Sequence, residues 1–373
     1  MLDQKKKVFI DSSKLITEAL AMAGADVFVG YPITPANLIY HHASRRFPVF
    51  LAAPDEITTL QWMSGFSVTG HIPVTATSFP GYALMIEGIN MAYMMELPMV
   101  IVLVQRLGPA TGTATRGAQG DIAVLSGTIS GGMMIPSFSI SNTLDCWRLS
   151  AKAVEVAVKY RTPVVIFTSK EEVMTMFNLN LNDLPPVTRV EQRIYDSSET
   201  YIPYQAGENK VSPFLPVTST QHQVRFTAST HDKYGIIQNT SKEAMDNSRR
   251  IHEKVVDNVS DFTCYELDEQ PGANILLASF GITSQAAREA VASLRASGHL
   301  ISLLIMKTLF PVPPDYFPIF SRYQKLFIAE ENLTGQYRQI LFGCKPSDHV
   351  TGINEFGKMI SPDSIIKKVL AHE

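Results

Sequence analysis

The chain has 373 residues, a net charge of −3 and a pI near 6.3, enough length for two domains with sizeable cores. That balance argues against a nucleic-acid binder, which needs a basic surface, and the run Lys5-Lys6-Lys7 is too short for a polybasic arm. Apolar runs such as 98–104 fall far short of the ~20 residues that cross a bilayer, and no signal-peptide pattern is visible, so a soluble cytoplasmic protein is expected.

In chain order, Ser12 or Ser13 can cap a first helix with Leu15, Ile16, Ala19, Leu20 and Met22 at helical spacing, and Gly24 stops it. A strand at 26–29 then runs into Gly30-Tyr31-Pro32-Ile33-Thr34-Pro35. Two prolines so close remove backbone donors and forbid a helix, so the chain must turn stiffly where the strand ends. A helix over 36–46, a long helix from Glu56 through Val68 and a strand at 74–77 follow. Pro80-Gly81 reads as a turn before a Met-rich helix at 83–95, and a strand at 99–104 ends at Gln105-Arg106. A helix at 143–159 and a strand at 164–167 complete the first part. Continuous β-branched strands between helices predict an α/β fold, a parallel sheet with helices on both faces. Prolines then punctuate an irregular stretch, which ends in a charged helix at 242–255. From 272 the α/β rhythm returns: a strand at 274–279, a helix capped by Thr283 and ended by Gly298, and strands at 300–306 and 325–329. The expected division is 1–180, a connecting region at 181–268, and a smaller α/β domain at 269–373.

The chemistry-bearing motifs are few. Cys146, Cys264 and Cys344 are widely separated and form no CxxC pair, so this chain alone cannot supply four ligands to an iron–sulfur cluster or a structural zinc. His41 and His42 are adjacent, and neighbours on a helix point apart, so no shared metal is expected. No GxGxxG, GxxxxGK[ST] or GxSxG occurs. What remains is a set of strand-end residues: Thr34, Glu56, Ser78 and Arg106. In open α/β sheets ligands bind outside the carboxyl ends of strands, and a guanidinium suits a substrate carboxylate because its donors form a planar fork. Each also has a plainer reading. Glu56 suits the first turn of a helix, Arg106 a surface ion pair, and Thr34 a loop hydroxyl. The methionines at 85, 91, 94, 95 and 99 suit adaptable core or interface packing.

Taken together, Gly30–Pro35, Pro54-Asp55-Glu56-Ile57, Thr77-Ser78-Phe79-Pro80-Gly81, Glu96-Leu97-Pro98 and Val104–Gly112 follow one another as in a known family. Phe226–Asp232, Lys307-Thr308-Leu309-Phe310-Pro311 and Glu331–Gln336 extend the match over nearly the whole chain. The set resembles the α subunit of 2-oxoacid:ferredoxin oxidoreductases, thiamine-diphosphate enzymes that convert a 2-oxoacid and coenzyme A to acyl-CoA, CO2 and reduced ferredoxin. The resemblance implies a pyrimidine-type thiamine-binding domain, then a transketolase C-terminal-like domain. It also implies that Glu56 hydrogen-bonds N1′ of the cofactor's aminopyrimidine, favouring the 4′-imino tautomer that removes the C2 proton. Thr34 and Arg106 would orient the substrate, and Tyr31, Pro32, Ile33 and Ser78 would line the cofactor. Gly120-Asp121 is followed by Ile122, so the Gly-Asp-Gly start of a diphosphate and Mg2+ site is missing. By the resemblance that site and the [4Fe-4S] ligands lie on a β subunit, with possible γ and ferredoxin-like subunits, and the isolated chain is expected to be inactive. Leu107, Phe79 and Ala110 depart from the family's usual Gly, Gly and Ser, which bears on the substrate: 2-oxoglutarate is favoured over pyruvate or a branched-chain 2-oxoacid. A non-catalytic scaffold and a thiamine enzyme that does not use ferredoxin are the rival readings.

Overall fold

Strict alternation along the first strands splits their side chains between two cores. In the computed structural model, which describes residues 7–345 and 348–372, Val27, Val29, Ile101, Leu103, Val165 and Phe167 enter one cluster. Phe28, Val100, Val102, Val104, Val164 and Ile166 enter the other. The sheet they build runs, in spatial order, Thr308–Phe310, Ser137–Ser139, Pro163–Ser169, Met99–Gln105, Pro73–Thr77, Val27–Gly30, Val49–Ala52. All neighbours are parallel except the Thr308–Phe310 edge, which pairs antiparallel with Ser137–Ser139. The chain leaves Val27–Gly30 outward to Val49–Ala52, then returns to its other side at Pro73–Thr77. The strand order therefore reverses there, and such a switch point opens a crevice at the carboxyl ends of the strands.

Helices Ser12–Ala23 and Thr143–Tyr160 cover one face, and helices Glu56–Val68 and Phe79–Met94 the other. The first helix is capped by Asp11, whose carboxylate accepts from Lys14 N at 3.0 Å. Ser12 and Ser13 lie inside it instead, with Ser13 Oγ donating to Val173 O at 2.8 Å. Pro80-Gly81 is not a turn. Pro80 sits in the first turn of the Phe79–Met94 helix, where its missing N–H costs nothing. His42 pairs with the Asp11 carboxylate at 3.2 Å, and Lys5 and Lys6 of the lysine run lie outside the described residues.

The second sheet runs Val350–Asn354, Lys325–Glu330, Ile275–Ser279, Ile301–Met306 in parallel, with Tyr265–Asp268 antiparallel at the far edge. One of its faces packs on helices Thr283–Ala296 and Pro362–Leu370. Its other face, with Leu276, Ala278, Leu304 and Met306, joins the same apolar cluster as Val29 and Leu103 of the first sheet. A continuous core thus couples the two sheets, and Thr308–Phe310 crosses between them. The irregular stretch from 184 to 240 clings to the first sheet's helices: Val190 N donates to Ala23 O at 2.8 Å and Trp147 Nε1 to Pro185 O at 2.8 Å. Gly24, at φ +124°, is required there, since a Cβ would lie 2.4 Å from Val190 O. No helix among the described residues is long and apolar enough to cross a membrane.

Candidate active site

Four loops meet at the carboxyl ends of the parallel strands around the switch point. They carry Thr34 after Val27–Gly30, Glu56 after Val49–Ala52, Ser78 after Pro73–Thr77 and Arg106 after Met99–Gln105. Arg106 is buried, and its Nη1 donates to the carbonyl oxygen of Thr34 at 2.7 Å. The structure therefore joins these two residues through backbone, leaving the Thr34 hydroxyl outside that bond. Tyr31 and Pro32 are exposed at the rim, and Ile33 is half-buried.

Glu56 opens its helix directly after Asp55, whose side chain caps it by accepting from Thr58 N at 2.7 Å. The Glu56 side chain is only 6 % exposed. It passes beneath the first turn of the neighbouring helix, where a Cβ on Gly81 would lie 2.4 Å from Glu56 Oε1 and 2.2 Å from Thr77 Oγ1. Glycine at 81 is what lets the carboxyl reach this position. Burial raises the Glu56 carboxyl above its ordinary range, and the nearby Asp55 charge pushes the same way. Glu56 does stand in the first turn of its helix, but its side chain is buried there, and the surface ion-pair reading does not describe the buried Arg106.

Ser78 Oγ and Arg106 Nε are buried at these strand ends without a hydrogen-bond partner, and Gln105 Nε2 and Asp121 Oδ2, which bear on one another, make no close bond either. Buried polar groups left without partners call for an explanation, and a bound ligand or water would supply one. Ser78 precedes its helix in an extended conformation, yet its hydroxyl makes no cap bond. Gln105 and Asp121 escaped the sequence reading. Gln105 ends a strand of apolar residues and carried no motif, while Asp121 registered only as a failed Gly-Asp-Gly. Burial lifts the Asp121 carboxyl to about 7, with the Gln105 amide and the Arg106 charge opposing it. Burial likewise lowers the Arg106 guanidinium below its ordinary range, against the pull of Asp121.

The loop from Arg106 to Asp121 is pinned at both ends. Leu107 pairs with Thr113, and Gly112 must be glycine because a Cβ there would meet Leu107 O at 1.7 Å. At its far end Gln119 is buried and spends every polar group on the last third of the chain. Its N donates to Glu331 O (2.8 Å) and its Nε2 to Phe280 O (2.7 Å). Its Oε1 accepts from Thr283 Oγ1 (2.7 Å) and Glu331 N (2.8 Å), and its O from Asn332 Nδ2 (3.1 Å). Thr283 is thus a latch rather than the helix cap expected from sequence, and its helix has no side-chain cap bond. Glu331 and Asn332 hold this loop against the second domain. The segment around Phe226–Asp232 instead folds on itself, Asp232 accepting from Tyr234 N (2.9 Å) and Ile236 N (3.0 Å).

The family model described as pyruvate flavodoxin/ferredoxin oxidoreductase, thiamine-diphosphate-binding, matches residues 18–251. The chain belongs to this family. Among its relatives, a 2-oxoglutarate synthase subunit KorA of Methanocaldococcus jannaschii is 28% identical over 98% of this chain and 100% of its own length. A ketoisovalerate oxidoreductase subunit VorB of Methanothermobacter thermautotrophicus is 32% identical over 93% of this chain and 92% of that one. The solved 2-oxoglutarate:ferredoxin oxidoreductase from Magnetococcus marinus, with 2-oxoglutarate, coenzyme A and succinyl-CoA bound, superposes with a TM-score of 0.92 at 25% identity. That match covers 99% of this chain but 65% of the solved one. A split-gene transketolase (14% identical, TM-score 0.55) shares the fold alone. The architecture is thus a thiamine-diphosphate-binding fold followed by a smaller transketolase-like α/β domain.

The residues present fit the pyrimidine half of thiamine diphosphate. Glu56 is a buried carboxyl with no ion-pair partner among the described residues, and Ser78 Oγ stands unpaired nearby at the strand end. No group of His, Cys, Asp and Glu among the described residues is placed to hold a metal ion.

Proposed function

We propose that this chain is the catalytic α subunit of a thiamine-diphosphate-dependent 2-oxoacid:ferredoxin oxidoreductase, converting 2-oxoglutarate and coenzyme A to succinyl-CoA, CO2 and reduced ferredoxin. The observation that carries the reading is the buried Glu56, without an ion-pair partner among the described residues, on one of the strand-end loops at the switch point that also carry Thr34 and Arg106. Relatives that the chain matches end to end support it, 2-oxoglutarate synthase subunits recurring among them. The VorB relative, at 32% identity, favours a branched-chain 2-oxoacid as the second reading.

In this reading Glu56 holds the aminopyrimidine at N1′ and shares a proton with it, a task suited to a carboxyl whose burial disfavours its charge. Bound thiamine diphosphate supplies the carbon nucleophile and electron sink for decarboxylation. Arg106 and the Thr34 hydroxyl bind the substrate's carboxylate and keto oxygen, Arg106 being steadied by Thr34 O. Tyr31, Pro32, Ile33 and Ser78 form the cofactor-side wall. We assign Mg2+, the diphosphate contacts and the [4Fe-4S] cluster to a β subunit, with ferredoxin as acceptor and any γ or ferredoxin-like subunit separate. The partner would seat on the face where helices Glu56–Val68 and Phe79–Met94 carry only Glu56 and Glu87 as charges and expose Ile57, Trp62 and Leu84. Such an uncharged, aromatic-bearing surface suits a protein interface. We divide the chain into the thiamine-binding part, 1–180, the connecting region, and the domain from 269.

The test is Glu56→Gln in the purified complex. Activity should fall at least a hundredfold with subunit assembly intact, and near-normal turnover would sink the cofactor role. Arg106→Lys, which loses the bidentate fork, should raise KM for the 2-oxoacid with little change in assembly. Comparing kcat/KM for 2-oxoglutarate and 2-oxoisovalerate decides between the two substrates.

A further inference from the structure

Asp121 is 5 % exposed, and its Oδ2 makes no close hydrogen bond. Its position is set from both sides: Gln336 Nε2 donates to Gly120 O at 2.9 Å, and Gln336 Oε1 accepts from Ala123 N at 2.9 Å. Gln119, two residues earlier, is latched to the second domain. This much anchoring around one carboxyl is more than a short surface helix needs. Although Asp121 opens the five-residue helix Ile122–Ser126, its side chain does not cap it. The groups that bear on it are Arg106 and the Gln105 amide from one strand end and the phenol of Tyr82, itself bonded to Thr128 Oγ1 at 2.8 Å, from the adjoining helix. The Arg106 guanidinium, in turn, has Asp121 as its charged neighbour.

A 2-oxoacid brings a carboxylate to that guanidinium. One buried cation would then face two carboxylates, and like charges sharing a buried site drive one of them to take a proton. Resting on the functional reading above, we propose that Asp121 is a second substrate-side residue, which takes one proton from solvent as the anionic 2-oxoacid binds at Arg106 and then presents its O–H as a donor to the substrate. The balance is one proton in per substrate bound, with no redox change. Substrate binding is therefore linked to proton uptake through a residue held in place by the second domain.

The experiment is calorimetric titration of the purified, thiamine-depleted complex with 2-oxoglutarate and with 2-oxoisovalerate at pH 8, in phosphate and in Tris, whose ionisation enthalpies differ. The wild-type complex should take up about one proton per substrate. Its Kd should be flat below about pH 7 and rise about tenfold per pH unit above it, one linked proton per decade. Asp121→Asn, which keeps the shape, should bind with no proton uptake and a flat Kd. The wild-type pH series needs no variant, so misfolding of Asp121→Asn cannot rescue the idea. Binding without proton uptake, or uptake that persists in Asp121→Asn, overturns this role while leaving the functional reading intact. Failure of both 2-oxoacids to bind the wild type overturns both.

Discussion

Replacing Glu96 by glutamine probes the charge cluster that ties the irregular segment to the first domain. Glu96 is fully buried at the left-handed φ of +53°, just past the Phe79–Met94 helix. Its carboxylate accepts from Arg250 Nη2 (2.5 Å), Lys254 Nζ (2.5 Å) and Ser212 Oγ (2.8 Å). Lys254 also donates to Arg161 O at 2.9 Å, and Arg161 Nη1 to Ser212 O at 3.2 Å. Three cations therefore share one anion. Burial alone would raise the Glu96 carboxyl, yet Arg250 and Lys254 outweigh it and hold it far below the ordinary range. Burial pulls Lys254 down to about 7 against the pull of Glu96. The two shifts have opposite implications for the pair, and the geometry favours a charged Glu96 because, among the described residues, no second carboxylate pairs with Arg250, Lys254 or Arg161. Glutamine preserves shape and removes the charge, stranding buried cations, and breaking a buried pair in this way costs ~3–5 kcal/mol. The assay is urea unfolding of the full chain at pH 7, followed by fluorescence of Trp62 and Trp147. The midpoint should fall with an unchanged slope. Glu96→Gln/Lys254→Met, which removes the stranded cation as well, should recover ~2 kcal/mol, a coupling within the range found for contacting residues. A loss under ~1 kcal/mol, against the expected range for a broken buried pair, or a double variant no better than the single, would refute the reasoning.

Glu172 gives a pH-dependent prediction. Its Oε2 accepts from Thr168 Oγ1 and Ser169 N, both at 2.9 Å, while its buried Oε1 has no partner, and burial raises the carboxyl to about 8. The unfolded chain releases that proton near 4.5. Between these values the folded state binds more protons, so this group's contribution lowers stability as pH rises, by up to ~1.4 kcal/mol per pH unit. Glu172→Gln should flatten the fall in thermal midpoint between pH 5 and 8, and an unchanged profile would exclude the assignment. Gly81→Ala separates the site from the scaffold. Alanine is the better helix former by ~1 kcal/mol, yet its Cβ would displace Glu56 Oε1. Turnover should drop at least tenfold with assembly retained, and wild-type kcat would contradict the placement of Glu56.

Much of this protein was legible in its sequence because local physics spoke clearly. Alternating β-branched strands, the double-proline corner at Pro32 and Pro35, and Asp55-Glu56 opening a helix each require one local structure whatever surrounds them. The strand-end positions of Thr34, Glu56, Ser78 and Arg106 followed from those elements, and the order of the motifs was enough to expose the family. Local signals misled where a tertiary partner claimed the group. Ser13 and Thr283 look like caps, but Val173 O and Gln119 Oε1 recruit their hydroxyls. Pro80-Gly81 looks like a turn, but the neighbouring Glu56 needs the space that glycine leaves inside a helix.

Only the tertiary structure could show that Arg106 reaches Thr34 through the carbonyl rather than the hydroxyl, and that Asp121 is buried within the electrostatic reach of Arg106. The same holds for Gln119, which spends all its hydrogen bonds on residues just beyond two strands of the second sheet, 161 to 213 residues away in sequence. A sequence determines which elements form, since helix and strand preferences act over a few residues. It does not display which polar groups are left without partners once those elements pack, because desolvation and pairing are set by residues far apart in the chain. That second layer is what singles out a candidate site among the strand-end side chains.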